Sequence, residues 1–143
     1  MKTATYPEVG QVFELMLTED QLDGIDMVKN FGYNPDGWRY TGQQPTPETG
    51  KFKLVQVGFC NNLQEVAQKL KEHGDIPAGQ WLQAFNAVYP KPDGNGPIGV
   101  ADNSWVDPDG SLGFPCMRSD GGAVFYWADF GLGEVWRWLV RCK

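Results

Sequence analysis

The chain has 143 residues, enough for a single domain that buries about two-thirds of its unfolded surface in one core. Hydrophobic residues make up 41% and charged residues 21%, a globular balance that excludes a disordered tail, and no apolar run is long enough for a membrane span. The formal net charge of −6 argues against a nucleic-acid binder, because neutralising a phosphate backbone takes a surplus of Lys and Arg on one face.

At the N-terminus, MKTATYPEVGQVFELML lacks the basic flank, apolar block and small-residue cleavage site of a secretory signal, so none is expected. Phe13, Leu15 and Leu17 then alternate with Glu14, Met16 and Thr18, the period of a strand with one buried side. The segment 21–33 stays open: Leu22, Ile25 and Val28 suit a short helix, and Gly24 weakens it. GWRY at 37–40 and KFKLVQVGFC at 51–60 read as strands. Between them TGQQPTPETG carries two Pro and two Gly and no apolar residue, the composition of an exposed loop.

Asn62 is placed to cap a helix over 62–73, whose Leu63, Val66, Ala67 and Leu70 share one face, with Gly74 as its left-handed stop. Asp75 and Pro77 look like the cap and first turn of a second helix over 76–88, with Trp81, Leu82, Phe85 and Val88 as its buried stripe. From residue 97 the period changes to two, and IGVA, SWV, LGFPCM, AVFYWA and EVWRWLVRC read as short strands. Strands, a helical pair and more strands predict a single α+β domain over 1–143, a mostly antiparallel sheet of about five to seven strands with the pair packed on one face.

Pro-Asp-Gly occurs at 35–37, 92–94 and 108–110, and Gly94–Gly99 matches GxGxxG. A dinucleotide loop must leave a strand and open a helix. Gly94 follows a helix, Pro97 interrupts the motif, and IGVADNSWV beyond it is not helical. Calcium fits no better. Taking each triplet glycine as the sixth position of an EF-hand loop puts Gly32, Tyr89 or Trp105 first and Gln43, Val100 or Cys116 twelfth, where carboxylates are needed. The triplets read as corners: Pro presets φ, Asp tolerates the next position, and Gly takes the left-handed one.

His73 is the only histidine, and no CxxC exists, so no zinc set and no catalytic residue can be named. It stands at a helix end, where an imidazolium meets the dipole favourably and often does nothing else. Cys60, Cys116 and Cys142 do not form a disulfide framework and point to free thiols in the cytoplasm. Arg118 lies near Cys116 in sequence and could lower its pKa, although a small core residue is the plainer reading. Carboxylates leave one enzymatic option, a hydrolase built on Asp102, Asp107 and Asp129, with Asp109 and Glu134 in the same region. No cofactor is implied.

The aromatic C-terminal meander carries the leading reading, a small acidic binding or interaction protein. Trp136, Trp138 and Val140 share one side of the last strand, and Arg137, Leu139 and Arg141 share the other. Pairing with 123–128 across FGLG would bring Phe125, Tyr126 and Trp127 beside them. Trp105, Tyr126, Trp127, Trp136, Arg137, Trp138 and Arg141 are therefore the candidate contact residues, since Trp and Arg dominate recognition surfaces. The plainer alternative is that these rings only fill a core. The partners this surface suits are a small apolar molecule or a protein, a second copy of the chain included.

Overall fold

The computed structural model describes residues 5–143. β1 (Phe13–Leu17) starts the chain's regular structure, followed by a 3-10 turn at Glu19–Gln21 and α1 (Gly24–Asn30). α1 resolves the open segment as a helix because Asp23 accepts hydrogen bonds from the backbone N–H groups of Ile25 and Asp26. Gly24 serves packing: a Cβ there would lie 2.4 Å from the Tyr40 ring.

β2 is two residues, Arg39–Tyr40, and β3 runs Glu48–Val55. β3 begins inside the expected loop because Leu17 of β1 pairs with Glu48, and it ends before Cys60. α2 (Leu63–Leu70) is capped as expected, with the Asn62 side chain accepting from the Glu65 N–H at 2.9 Å. Gly74 follows the helix as expected, its N–H donating to the Leu70 carbonyl at 3.2 Å, although at φ +157° it is more extended than a left-handed stop. A Cβ there would come within 2.4 Å of the Arg141 carbonyl oxygen.

α3 (Trp81–Val88) starts later than its apparent cap suggests. Asp75 exchanges two backbone hydrogen bonds with Arg141, 2.9 and 2.8 Å, so this segment belongs to the sheet's margin rather than to the helix. β4 (Ile98–Gly99), β5 (Trp105–Val106), β6 (Leu112–Met117), β7 (Ala123–Trp127) and β8 (Arg137–Arg141) complete the chain.

The fold is α+β, with one sheet in the order β1-β3-β8-β4-β6-β5-β2 and β7 on the remaining side of β6. Among the described residues it has eight strands, one more than the upper expectation, with β2, β4 and β5 of two residues each. Pairing between these strands is antiparallel except for β4 with β8, and the isolated Val9–Leu54 bridge is also parallel. The expected β7–β8 hairpin does not form. β7 pairs with β6, while β8 crosses to the middle of the sheet between β3 and β4. The reason is burial: Trp138, Leu139 and Val140 are all covered, so the strand is apolar on both faces and belongs inside.

That alternation also separates the helices. Phe52, Leu54 and Leu139 face α3, whose Trp81, Leu82 and Phe85 pack on them. Val55, Trp138 and Val140 face the other way and receive Leu63, Val66 and Leu70 of α2. The helical pair therefore divides across the two faces instead of sharing one, and the doubly apolar β8 is what requires it. All three Pro-Asp-Gly triplets are corners, with Gly37, Gly94 and Gly110 at φ +83°, +74° and +86°. Among the described residues no helix is long and apolar enough to cross a membrane.

Candidate functional site

The contact residues expected from sequence scatter. Trp105 is fully buried between Tyr40 and Phe125, and its indole N–H donates to the Gly24 carbonyl at 2.9 Å. Trp138 is 1% exposed and stacks on Trp136, with ring centroids 5.1 Å apart and planes 16° from parallel. Half-buried Trp127 lies on the opposite face of the sheet from Tyr126 and stacks on Trp38 at 6.5 Å.

The arginines of β8 are committed inside the chain. Arg137 is buried and grips both oxygens of Asp93 at 2.7 and 2.9 Å, donates to the Gly96 carbonyl at 2.8 Å, and lies 5.6 Å over the Tyr6 ring. Burial pushes the Asp93 carboxyl up, but hydrogen bonds from Arg137 and the Asn95 N–H, with the guanidinium charge, hold it below its ordinary value. Tyr6 moves the other way, raised by burial and by the Asp93 carboxylate against the opposing Arg137. Half-buried Arg141 lies over Phe52 and Trp81 and forms an ion pair with Glu48. Trp105, Trp138 and Arg137 are thus interior residues. The physical reason is the central placement of β8 and the cover that α1 puts over β5.

Of the three carboxylates of the hydrolase alternative, Asp102 has both oxygens engaged within the chain and Asp107 has one. Asp102 accepts from the Gly79 N–H at 2.7 Å and from the Ser104 N–H and hydroxyl. Asp107 accepts from the Asp109 and Ser111 N–H groups, closing its turn. Asp129 stands exposed after β7. His73 is exposed at the end of α2. Burial pushes the Cys116 thiol up to about 12 and outweighs Arg118, which reverses the activation that sequence proximity suggested.

One part of the meander does reach solvent. Tyr126 sits 5.4 Å from Trp136 and 5.9 Å from Phe114, on the side of the sheet that carries α2. Phe130 packs edge-on against Tyr126 at 5.8 Å and is 52% exposed. Phe59 is 59% exposed and lies by the next residue, where a Cβ on Gly131 would meet its ring at 3.6 Å. Cys60 and Leu132 exchange backbone hydrogen bonds of 2.9 and 2.8 Å, and Leu63 N–H donates to the Ala128 carbonyl at 2.9 Å. Lys69 reaches back to the carbonyls of Val57 and Phe59. Two exposed phenyl rings thus stand on loops bridged to each other at their bases, Phe130 at the outer end of a packed column of Tyr126, Trp136, Trp138 and Phe114 and Phe59 beside Gly131.

Sequence reasoning missed Phe59 and Phe130. Phe59 was assigned to a strand and Phe130 to a turn, and their only signal is a glycine beside each, Gly58 and Gly131. The cavities of the molecule are of another kind. Two clefts of about 520 and 460 Å³ flank the 41–47 loop; the first, beside Ile25, Trp38 and Tyr40, presents mainly apolar surface, and the second, beside Gln44, Glu48 and Arg141, is mainly polar. The pocket between α1 and α3, about 180 Å³ and of mixed polarity beside Phe31, Leu82, Gln83 and Met117, is smaller than usual ligand sites. Comparison of the chain with protein-family models, with curated proteins and with solved structures finds no match.

Proposed function

We propose that this is an interaction protein that docks a protein partner on the corner formed by Phe59 and Phe130. The observation that carries the reading is that two phenyl rings, each more than half exposed, stand on loops whose backbones are hydrogen-bonded to each other, the Phe59 ring beside the glycine that follows Phe130. A fixed aromatic pair loses little conformational entropy on binding, so most of the area it buries is available for affinity. Tyr126 extends the surface inward, while Trp136 and Trp138 support it from below. A protein partner suits this corner better than a small apolar molecule, because among the described residues no cavity lies beside the two rings and the cleft at Trp38 and Tyr40 is elsewhere on the molecule. Three free cysteines, two of them buried, support a reducing compartment such as the cytoplasm.

The test is site-specific photo-crosslinking in cells with benzoylphenylalanine at position 130 or, as a control, at exposed Val88. The expected result is a discrete heteromeric adduct from position 130 that is lost on Phe59→Ser and absent from position 88. No adduct, or the same adduct from both positions, refutes the reading.

A further inference from the structure

The eight-stranded sheet has three free margins, and two of them are closed. β2 offers only two residues. Along β7, the outward N–H of Phe125 already donates to the Tyr33 hydroxyl at 3.1 Å, and Tyr33 and Trp38 pack against Phe125. β1 is different. It pairs only with β3, so among the described residues its outer row of N–H and C=O groups meets no other strand. Its sequence, FELML, has no Pro, no Lys and no bulge-forming Gly, and Glu14 is its one charge. On the face that α3 leaves open, Val12 is 55% and Met16 61% exposed, and no β1 residue belongs to the α2 cluster.

We infer that β1 is a homodimerisation edge, pairing antiparallel with β1 of a second copy about a two-fold axis at Leu15. This register places Phe13 opposite Leu17 of the other copy and Glu14 opposite Met16, with Leu15 opposite itself. Apolar residues then meet apolar residues on the face under α3, and the strand's one charge never faces its own copy. Glu14 keeps Lys51 as its cross-strand neighbour on β3, and the two Met16 side chains lie diagonally, within mutual reach. This self-complementarity is the condition an isologous contact must meet, and it favours a second copy over an unrelated strand. Pairing of two five-residue strands buries less than the roughly 1,200 Å² of a standard interface, so the dimer is weak and exchanging. The inference uses a surface separate from the Phe59–Phe130 corner and does not rest on it.

Sedimentation velocity over a concentration series tests the pairing. The expected result is a monomer–dimer equilibrium that Met16→Glu weakens by about tenfold or more, because each new carboxylate faces Glu14 of the other copy. Combining Met16→Glu with Glu14→Lys restores the dimer, and Phe130→Ser leaves it unchanged. A second reading on the unmodified protein is amide hydrogen exchange, in which protection of β1 rises with concentration. A monomer throughout, a dimer indifferent to Met16→Glu, failure of the charge swap, loss on Phe130→Ser or concentration-independent β1 exchange would each overturn the proposal.

Discussion

The aromatic residues of this protein fall into two populations that touch each other. Trp136 and Trp138 stack inside the sheet, against Phe114 and under α2, where they are at most 9% exposed. Phe130, packed on Tyr126 at the outer end of that column, and Phe59, on the loop bridged to it, stay in solvent. Chemistry does not separate the two sets, since all are large apolar rings that folding would ordinarily cover. Their backbones do. Trp138 stands on a strand hydrogen-bonded on both sides and Trp136 on the turn that leads into it, while the outer rings stand on loops joined to each other at their bases. Abundance of aromatic residues therefore says little about function until each ring's support and cover are known.

The largest expected effect lies in the inner set. Trp138→Ala removes a 1%-exposed ring from contact with Trp136 and Phe114, and should cost about 3–5 kcal/mol of unfolding free energy in a denaturant titration. A cost below about 1 kcal/mol, the range of an exposed surface substitution, would erase the distinction between the two populations.

A smaller effect is expected at the pair that holds the 90–97 segment against β8. Arg137 is almost fully covered and the Asp93 side chain is 27% exposed, so Asp93→Ala leaves a guanidinium without its partner and should cost about 2–3 kcal/mol. The Asp93 carboxyl has a lower pKa folded than unfolded, so the stability it contributes is present above the ordinary value of 3.8 and is lost as pH falls through its lower folded value. Acid titration of unfolding free energy should therefore show a loss below that value in the unmodified protein that is reduced in Asp93→Ala. Equal acid sensitivity in both would place the linkage elsewhere.

Parts of this arrangement are legible from sequence because their signals are local. The Asn62 cap and the Leu63–Leu70 stripe specify α2, and the alternation in Phe13–Leu17 specifies β1. The Pro-Asp-Gly corners follow from the conformations that Pro and Gly permit. What misleads is long-range. Asp75 and Pro77 have the chemistry of a helix start, but hydrogen bonds between Asp75 and Arg141, 66 residues apart in sequence (141 − 75), take that segment to the sheet. Val124–Trp127 and Trp136–Val140 alternate as a hairpin would, yet the second is apolar on both faces and moves to the centre. Arg137 resembles a recognition arginine until Asp93, 44 residues earlier, is seen to occupy it. The candidate site is the least legible part. Phe59 and Phe130 have no periodic pattern, and long-range backbone bonds, Cys60 with Leu132 and Leu63 with Ala128, join their loops.

The most direct measurement of the contrast is the unfolding free energy of the double variant Phe59→Ser/Phe130→Ser beside that of Trp138→Ala. If the outer rings are kept for contact rather than for folding, the double variant should stay within about 1 kcal/mol of the unmodified protein. A loss of about 3 kcal/mol or more, matching the inner ring, would make Phe59 and Phe130 part of the core and contradict the account.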